Sequence, residues 1–247
     1  MTLSEKTHLN LISSPMQAVE AIQLAVDNLI ILDFDETLFL RNSTEAYLDA
    51  IYPRPLGAVY LLAAKLIRPW RWLPAHLKAD TLSKDWLLVL GATLLFPWTL
   101  LVWRFKAKQL AQAYWNQPLV EAIARNPKAR IVVATLGFDC VVNPLLKHLP
   151  PAIALKVEHD AITCRFWQGA ADRAKGKLKM VSAVVGKTAL AEAVVVTDSL
   201  TDAPLLTAAK TPCLVVWPDA KYVPAMAEFF GAIATLRAKA QKPSWID

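Results

Sequence analysis

Short apolar runs that end in carboxylates or turn residues, separated by helical segments, predict an α/β fold with a three-layer, mainly parallel sheet. Three runs carry that reading: LIIL (29–32), RIVVAT (130–135) and AVVVT (193–197). Each is largely continuous in its hydrophobicity rather than alternating, as expected of strands covered on both faces. Between the first two lies a stretch, residues 39–118, without strand periodicity and rich in Leu, Ala and Trp. It predicts an inserted all-helical, apolar unit, with the sheet domain built from residues 1–38 and 119–247.

Taken in order, MTLSEKTHLN (1–10) mixes Glu5 with Lys6 and enters no long apolar stretch, so it does not read as a signal peptide. SPMQAVEAIQLAVDN (14–28) is a short amphipathic helix, and LIILDFDETL (29–38) is a buried strand that opens into acids at its C-terminal end. ARIVVATLG (129–137) is a second strand, followed by a helix over CVVNPLLKHL (140–149). PAIALKVEHDAITCRF (151–166) reads as two strand-like pieces joined around Glu158, His159 and Asp160, an expected hairpin. KLKMVSAVVG (177–186) is a helix stopped by Gly186. AEAVVVTDS (191–199) and TPCLVVWP (211–218) are further strands, and YVPAMAEFFGAIATLRAKA (222–240) is a closing helix.

Composition bounds the environment. Hydrophobic residues make up 55 % of the 247, the mean hydropathy is +0.33, and there are nine tryptophans. That exceeds the usual globular share of about 45–50 % and brings a membrane surface into consideration. Cys140, Cys164 and Cys213 are widely spaced and odd in number, which suggests neither a disulfide framework nor a zinc site, and fits a reducing compartment. The formal charge of +6 is concentrated. Residues 41–110 hold ten basic residues against four acids, and the rest of the chain balances 17 against 17. A basic segment of this kind attracts anionic lipid or phosphate-bearing molecules. Its charges are interleaved with apolar runs rather than aromatic stacking platforms, so nucleic acid is not an expected partner.

Within the insertion, WLLVLGATLLFPWTLLVW (86–103) is an uncharged run of 18 residues interrupted by Gly91 and Pro97. Three readings are open: a monotopic or re-entrant hairpin, a membrane span, or a buried helix of the inserted unit. Trp70, Trp72, Trp98 and Trp103 suit either the headgroup level of a bilayer or packing against the sheet domain.

The chemistry-bearing residues sit at strand ends. Asp33 and Asp35 are two apart, so an extended chain points both carboxylates the same way. One carboxylate can then attack an electrophile while the other delivers and later accepts a proton. Two anions buried together call for a cation or a proton between them. Asp198 and Asp202, after VVVT, can complete an oxygen-rich magnesium site.

DFDETL (33–38), Thr135 after IVVA, a lysine in AKGKLK (174–179) and DSLTD (198–202) occur in that order. The set resembles the haloacid dehalogenase-like superfamily, whose phosphatases carry a DxDxT motif, a Thr or Ser after the second strand, a Lys and a DxxxD-type acid pair. The resemblance covers most of residues 29–217. It implies a Rossmann-like catalytic core with a helical type-1 cap at 39–118. It also implies a Mg2+-dependent phosphomonoester hydrolase working through an aspartyl-phosphate on Asp33, with Asp35 as general acid/base. Thr37 is then expected to hydrogen-bond near the site and Thr135 to hold phosphoryl oxygens, with the N–H groups after Asp33 and at Gly137 also receiving phosphate charge. Asp33, Asp35, Asp198 and Asp202 are expected around the metal, Asp35 through its carbonyl. Lys177 has the most family-like context, with Lys175 and Lys179 as alternatives. The second acid, Asp35, favours phosphatase over dehalogenase. Two departures from the pattern are Glu36, where Gly is frequent, and Leu136, where small residues are frequent.

The similarity runs toward bacterial phosphatidylglycerophosphate phosphatases, through DSLTDAPLL (198–206), and toward phosphoserine phosphatases through the cap position. Asn42 stands near where the latter place a Glu, with Glu45 one turn on. The expected substrates are therefore a lipid or prenyl monophosphate, or a small soluble monophosphate. The expected location is the cytoplasmic face of a membrane, touched through residues 56–110. A non-catalytic, membrane-associated accessory domain is the remaining reading, and related domains occur fused to membrane prenyltransferases.

Overall fold

A computed structural model describes residues 11–25, 28–72 and 80–220; the expected closing helix at 222–240 lies outside them. The order begins with α1 (Pro15–Leu24), β1 (Leu29–Leu32), α2 (Ser43–Leu48), α3 (Arg54–Ile67), α4 (Asp80–Leu95), α5 (Thr99–Tyr114) and α6 (Gln117–Arg125). It continues with β2 (Arg130–Phe138), α7 (Asp139–Leu146), α8 (Pro151–Ala154), β3 (Ile162–Cys164), α9 (Gly169–Lys175), α10 (Lys177–Val185) and α11 (Lys187–Ala191). β4 (Val194–Thr197), α12 (Ala203–Thr207) and β5 (Thr211–Leu214) follow. The five strands form one parallel sheet in the order β3-β2-β1-β4-β5.

Period-2 alternation within strands that are apolar throughout builds the three layers. Ile30 and Leu32 of β1, with Val194 and Val196 of β4, face the layer that holds Ala18, Ile22, Leu119 and Ile123 of α1 and α6. Leu29 and Ile31, with Val132 and Val195, face the opposite layer of Val181, Leu190, Leu205 and Leu206. The chain winds outward from β1 through β2 to β3, then crosses back to β4 beside β1. The direction of winding reverses at the C-terminal ends of β1 and β4, the crevice where α/β sheets place ligands.

The segment 151–166 departs from the expected hairpin. Its first part is the short helix α8, and its two extended pieces do not pair with each other. Ile131 of β2 donates its N–H to the Lys156 carbonyl (2.8 Å) and accepts from the Glu158 N–H (3.0 Å). β3 then pairs with β2, also parallel, with a register shift between Ala134 and Phe138. Both pieces therefore complete the free edge of β2, which satisfies more buried backbone groups than a local turn.

The helical insertion α2–α5 shares one core with the sheet domain: Tyr47, Leu88 and Trp103 are buried in the same cluster as Ile30 and Val141. Trp103 donates its indole N–H to the Val141 carbonyl (2.9 Å) and packs edge-on against Tyr47. The run 86–103 does not form a straight span. It breaks at Pro97, whose ring and missing N–H do not continue a helix. The pieces Lys84–Leu95 and Thr99–Tyr114 meet at 116°. No single helix among the described residues is long and apolar enough to cross a membrane. Leu88, Val89, Ala92 and Trp103 are buried, while Leu94, Leu95, Trp98 and Leu101 are exposed, so the run is half core and half surface.

Candidate active site

Asp33 ends β1, its N–H donating to Val196 of β4 (2.9 Å) and so continuing the ladder to the rim of the sheet. The chain then folds back tightly. The Phe39 N–H donates to the Phe34 carbonyl (2.9 Å), and Glu36 takes a left-handed φ of 60°, the conformation that explains why Gly is frequent there. Asn116, capping α6, ties this loop down by donating to the Thr37 carbonyl (2.8 Å).

Asp33 is nearly buried and fully engaged. Its Oδ1 accepts the Phe34 N–H (2.7 Å) and lies 2.8 Å from the Lys177 ammonium, and its Oδ2 lies 2.7 Å from the Thr197 hydroxyl. Asp35 turns toward the insertion, where Oδ1 accepts the N–H of Ser43, the first residue of α2, at 2.6 Å. Burial pushes its carboxyl up to about 6; hydrogen bonding from Ser43 opposes that, and the Asp33 charge adds to it. A carboxyl in that range can both give and take a proton near neutral pH.

Thr135 is buried on β2, with its hydroxyl accepting the Gly137 N–H (2.9 Å). A Cβ at Gly137 would come within 3.4 Å of Asp35 Oδ2, 3.2 Å of Thr135 Oγ1 and 2.7 Å of Val142 Cγ2, so only glycine leaves this space between the acid and the hydroxyl. Beyond it, Arg173 donates through Nε to the Leu136 carbonyl (2.8 Å) and through an Nη to Asp85 of α4 (3.0 Å). One guanidinium thus joins the Thr135 strand end to the insertion.

Lys177 starts α10 and is buried, whereas Lys175 pairs with Asp172 (2.8 Å) and Lys179 is exposed. Of the three candidate lysines, Lys177 is the one brought to Asp33. Its ammonium also meets Asp202 Oδ2 at 2.5 Å. Burial pulls its pKa down, but Asp202 and Asp33 outweigh that and hold it above the usual lysine value. Asp198 accepts from the Thr37 hydroxyl (3.3 Å). Burial, then the Asp33 charge, push its carboxyl well up, and Asp202 is raised chiefly by burial as well.

Asp33, Asp198 and Asp202 are exposed by 7, 7 and 2 %, and the ammonium that meets Asp33 and Asp202 is that of Lys177. That excess of buried negative charge suits a hard divalent cation. Among the described residues no three His, Cys, Asp or Glu side chains stand as a ready cage. Magnesium does not require one, since it binds through one or two carboxylates and keeps several waters. The donor set therefore fits the ion in charge and in kind.

Three residues at the site were not singled out in the sequence. Thr197 spans Asp33 and Asp202, its Oγ1 lying 2.7 Å from an oxygen of each. It was hidden as the last residue of a β-branched strand. Ser43 was legible only as the start of a capped helix, and Arg173 only as one of several basic residues around AKGKLK. No curated protein matches the sequence. The sequence profile for haloacid dehalogenase-like hydrolase matches residues 30–207, which span β1 to α12 and include Asp33, Asp35, Thr135, Lys177, Asp198 and Asp202. The chain belongs to the haloacid dehalogenase-like hydrolase family.

Proposed function

We propose that the chain is a Mg2+-dependent phosphomonoesterase that acts on a lipid or prenyl monophosphate at the cytoplasmic face of a membrane. The observation that carries the reading is the pairing of two unlike carboxyls at one strand end. Asp33 is paired with the Lys177 ammonium at 2.8 Å, and burial pushes the Asp35 carboxyl up to about 6. Asp33 attacks phosphorus as the bond to the leaving oxygen breaks, and Asp35 gives that oxygen its proton. Asp35, now a carboxylate, takes a proton from water, which attacks the phosphorus of the aspartyl-phosphate and frees Asp33 and inorganic phosphate. Lys177, the Thr135 hydroxyl and the N–H groups beyond Asp33 hold the phosphoryl oxygens. Thr197 and Asp202 keep Lys177 and Asp33 in register. Asp33, Asp198 and the Asp35 carbonyl would hold magnesium, with Asp202 ligating or orienting its water. When bound, the ion neutralises the nucleophile and the transferring group.

The substrate class follows from the insertion, which is apolar and basic and meets the site through Ser43 and Arg173. A panel of phosphatidylglycerophosphate, prenyl phosphates, phosphoserine and sugar phosphates, assayed with magnesium, tests it. The amphiphiles are expected to have the highest kcat/KM, and Asp33→Asn to lose essentially all turnover. Preference for phosphoserine would overturn the lipid assignment. Equal turnover by Asp33→Asn would overturn the nucleophile, and inactivity on every phosphomonoester would leave the accessory-domain reading.

A further inference from the structure

The outer face of the insertion has the reverse of the usual helix pattern. The buried side of α3 carries Gly57, which lies against Ile51, and Ala64, and the Tyr60 hydroxyl ties the helix to α4 by donating to the Leu88 carbonyl (2.8 Å). At Gly91 of α4 a Cβ would lie 2.4 Å from that hydroxyl, so the missing side chain makes the space the Tyr60 phenol occupies. The bulky residues Val59, Leu62 and Leu66 fall on the opposite, solvent-facing stripe at helical spacing. The α4–α5 elbow adds Leu95 and Trp98, and Phe105 farther along α5 is exposed as well. The indole N–H of Trp98 bonds to the Tyr52 carbonyl (2.5 Å), which brings the elbow beside the start of α3. These six side chains are exposed by between 44 % (Trp98) and 79 % (Phe105).

Basic residues flank this surface. Arg54 stands at the start of α3, and Lys65, Arg68 and Arg71 stand at or beyond its end. Arg104 and Lys108 flank Phe105 on α5, and all six are exposed. The acids between residues 50 and 110 are Asp80 and Asp85, and Asp85 is bound by Arg173. A second copy of the chain is a poor match, because a two-fold dimer through this face would set the basic rim against itself. An anionic bilayer supplies both an apolar interior and a negative headgroup layer.

From these features we infer that the insertion is an interfacial dock. α3 lies in the plane of an anionic membrane, the Leu95–Trp98 elbow enters the headgroup–acyl boundary, and the flanking Arg and Lys residues pair with lipid phosphates. The docking rests on the surface alone. Only its consequence, delivery of an amphiphilic monophosphate to Asp33, rests on the proposed function.

Flotation of the full chain with phosphatidylcholine vesicles, with and without phosphatidylglycerol, tests the dock. Wild type is expected to float with the anionic vesicles and to lose that binding in high salt. Leu62→Glu/Leu66→Glu, and separately Phe105→Glu, are expected to weaken partition by about tenfold or more, and Arg68→Glu/Arg71→Glu to weaken it on anionic vesicles alone. Hydrolysis of the soluble probe p-nitrophenyl phosphate, without vesicles, is expected to stay at the wild-type rate in every variant. That arm reads the catalytic proposal separately, so a chain that floats without hydrolysis keeps the dock, and one that hydrolyses without floating loses it. Binding to neutral and anionic vesicles alike, no loss in the Glu variants, or a wild-type dimer that Leu62→Glu/Leu66→Glu converts to monomer would overturn the inference.

Discussion

Lys177→Met removes the ammonium between Asp33 and Asp202 while keeping a side chain of similar length. The contacts of 2.8 and 2.5 Å each represent about 6 kcal/mol of gross attraction at an effective dielectric near 20. Most of that offsets the desolvation of three buried ions, and removal of one partner from such a cluster costs about 3–5 kcal/mol net. With a urea m-value of about 2–3 kcal/mol/M for a chain of this size, the unfolding midpoint falls by about 1–2 M. The measurement is made at neutral pH in EDTA. The lysine is raised in the folded state, so its contribution is complete below the unfolded value of about 10.4 and is lost only as pH climbs through the folded one. The deficit narrows on acidification, because the Asp202 carboxyl, raised by burial, takes up a proton and no longer needs the cation. An unchanged midpoint at neutral pH, or a deficit that widens in acid, would refute this account of the charge balance.

Magnesium at about 100 times its dissociation constant should stabilise the fold by about 2.7 kcal/mol and raise Tm by about 5–10 °C. Asp198→Asn should abolish that shift, and a full shift in the variant would remove Asp198 from the ligand set. Arg173→Met leaves Asp85 and the Leu136 carbonyl without the guanidinium, and should lower Tm by about 10 °C together with kcat. Unchanged kcat would show that the insertion and the Thr135 strand end are not coupled there. Asp172→Ala removes the acceptor of the Arg165 backbone and side chain and of Lys175, at a cost of about 1.5–3 kcal/mol in urea unfolding at neutral pH. The Arg165 hydrogen bonds hold this carboxyl well below the usual range, so its stabilisation is present above about pH 4 and disappears as pH falls further. A loss that persists undiminished in acid would assign the cost to packing instead.

Much of this molecule is written in local sequence. The apolar runs at 29–32, 130–135 and 193–197 specify parallel strands buried on both faces, because only continuous hydrophobicity suits a sheet covered on both sides. The acids at 33, 35 and 198 follow those runs directly, so their place at the strand ends needed no tertiary information. The helical character of α2 to α5 was equally legible from the lack of alternation.

Other features depended on groups far apart in the chain. Lys177 differs from Lys175 by two positions, yet on the helices that start and end around Gly176 one ammonium enters the cleft and the other turns to Asp172. Thr197, Ser43 and Arg173 acquire their roles only when Asp33, Asp35 and Leu136 are brought to them across the fold. The pieces around Val157 and Ile162 look like a hairpin until the unpaired edge of β2, some 25 residues away, competes for their backbone groups. Hydrophobicity and strand period are properties of neighbours in sequence. The partner of a buried charge or a free N–H is set by whichever group the packed chain carries to it.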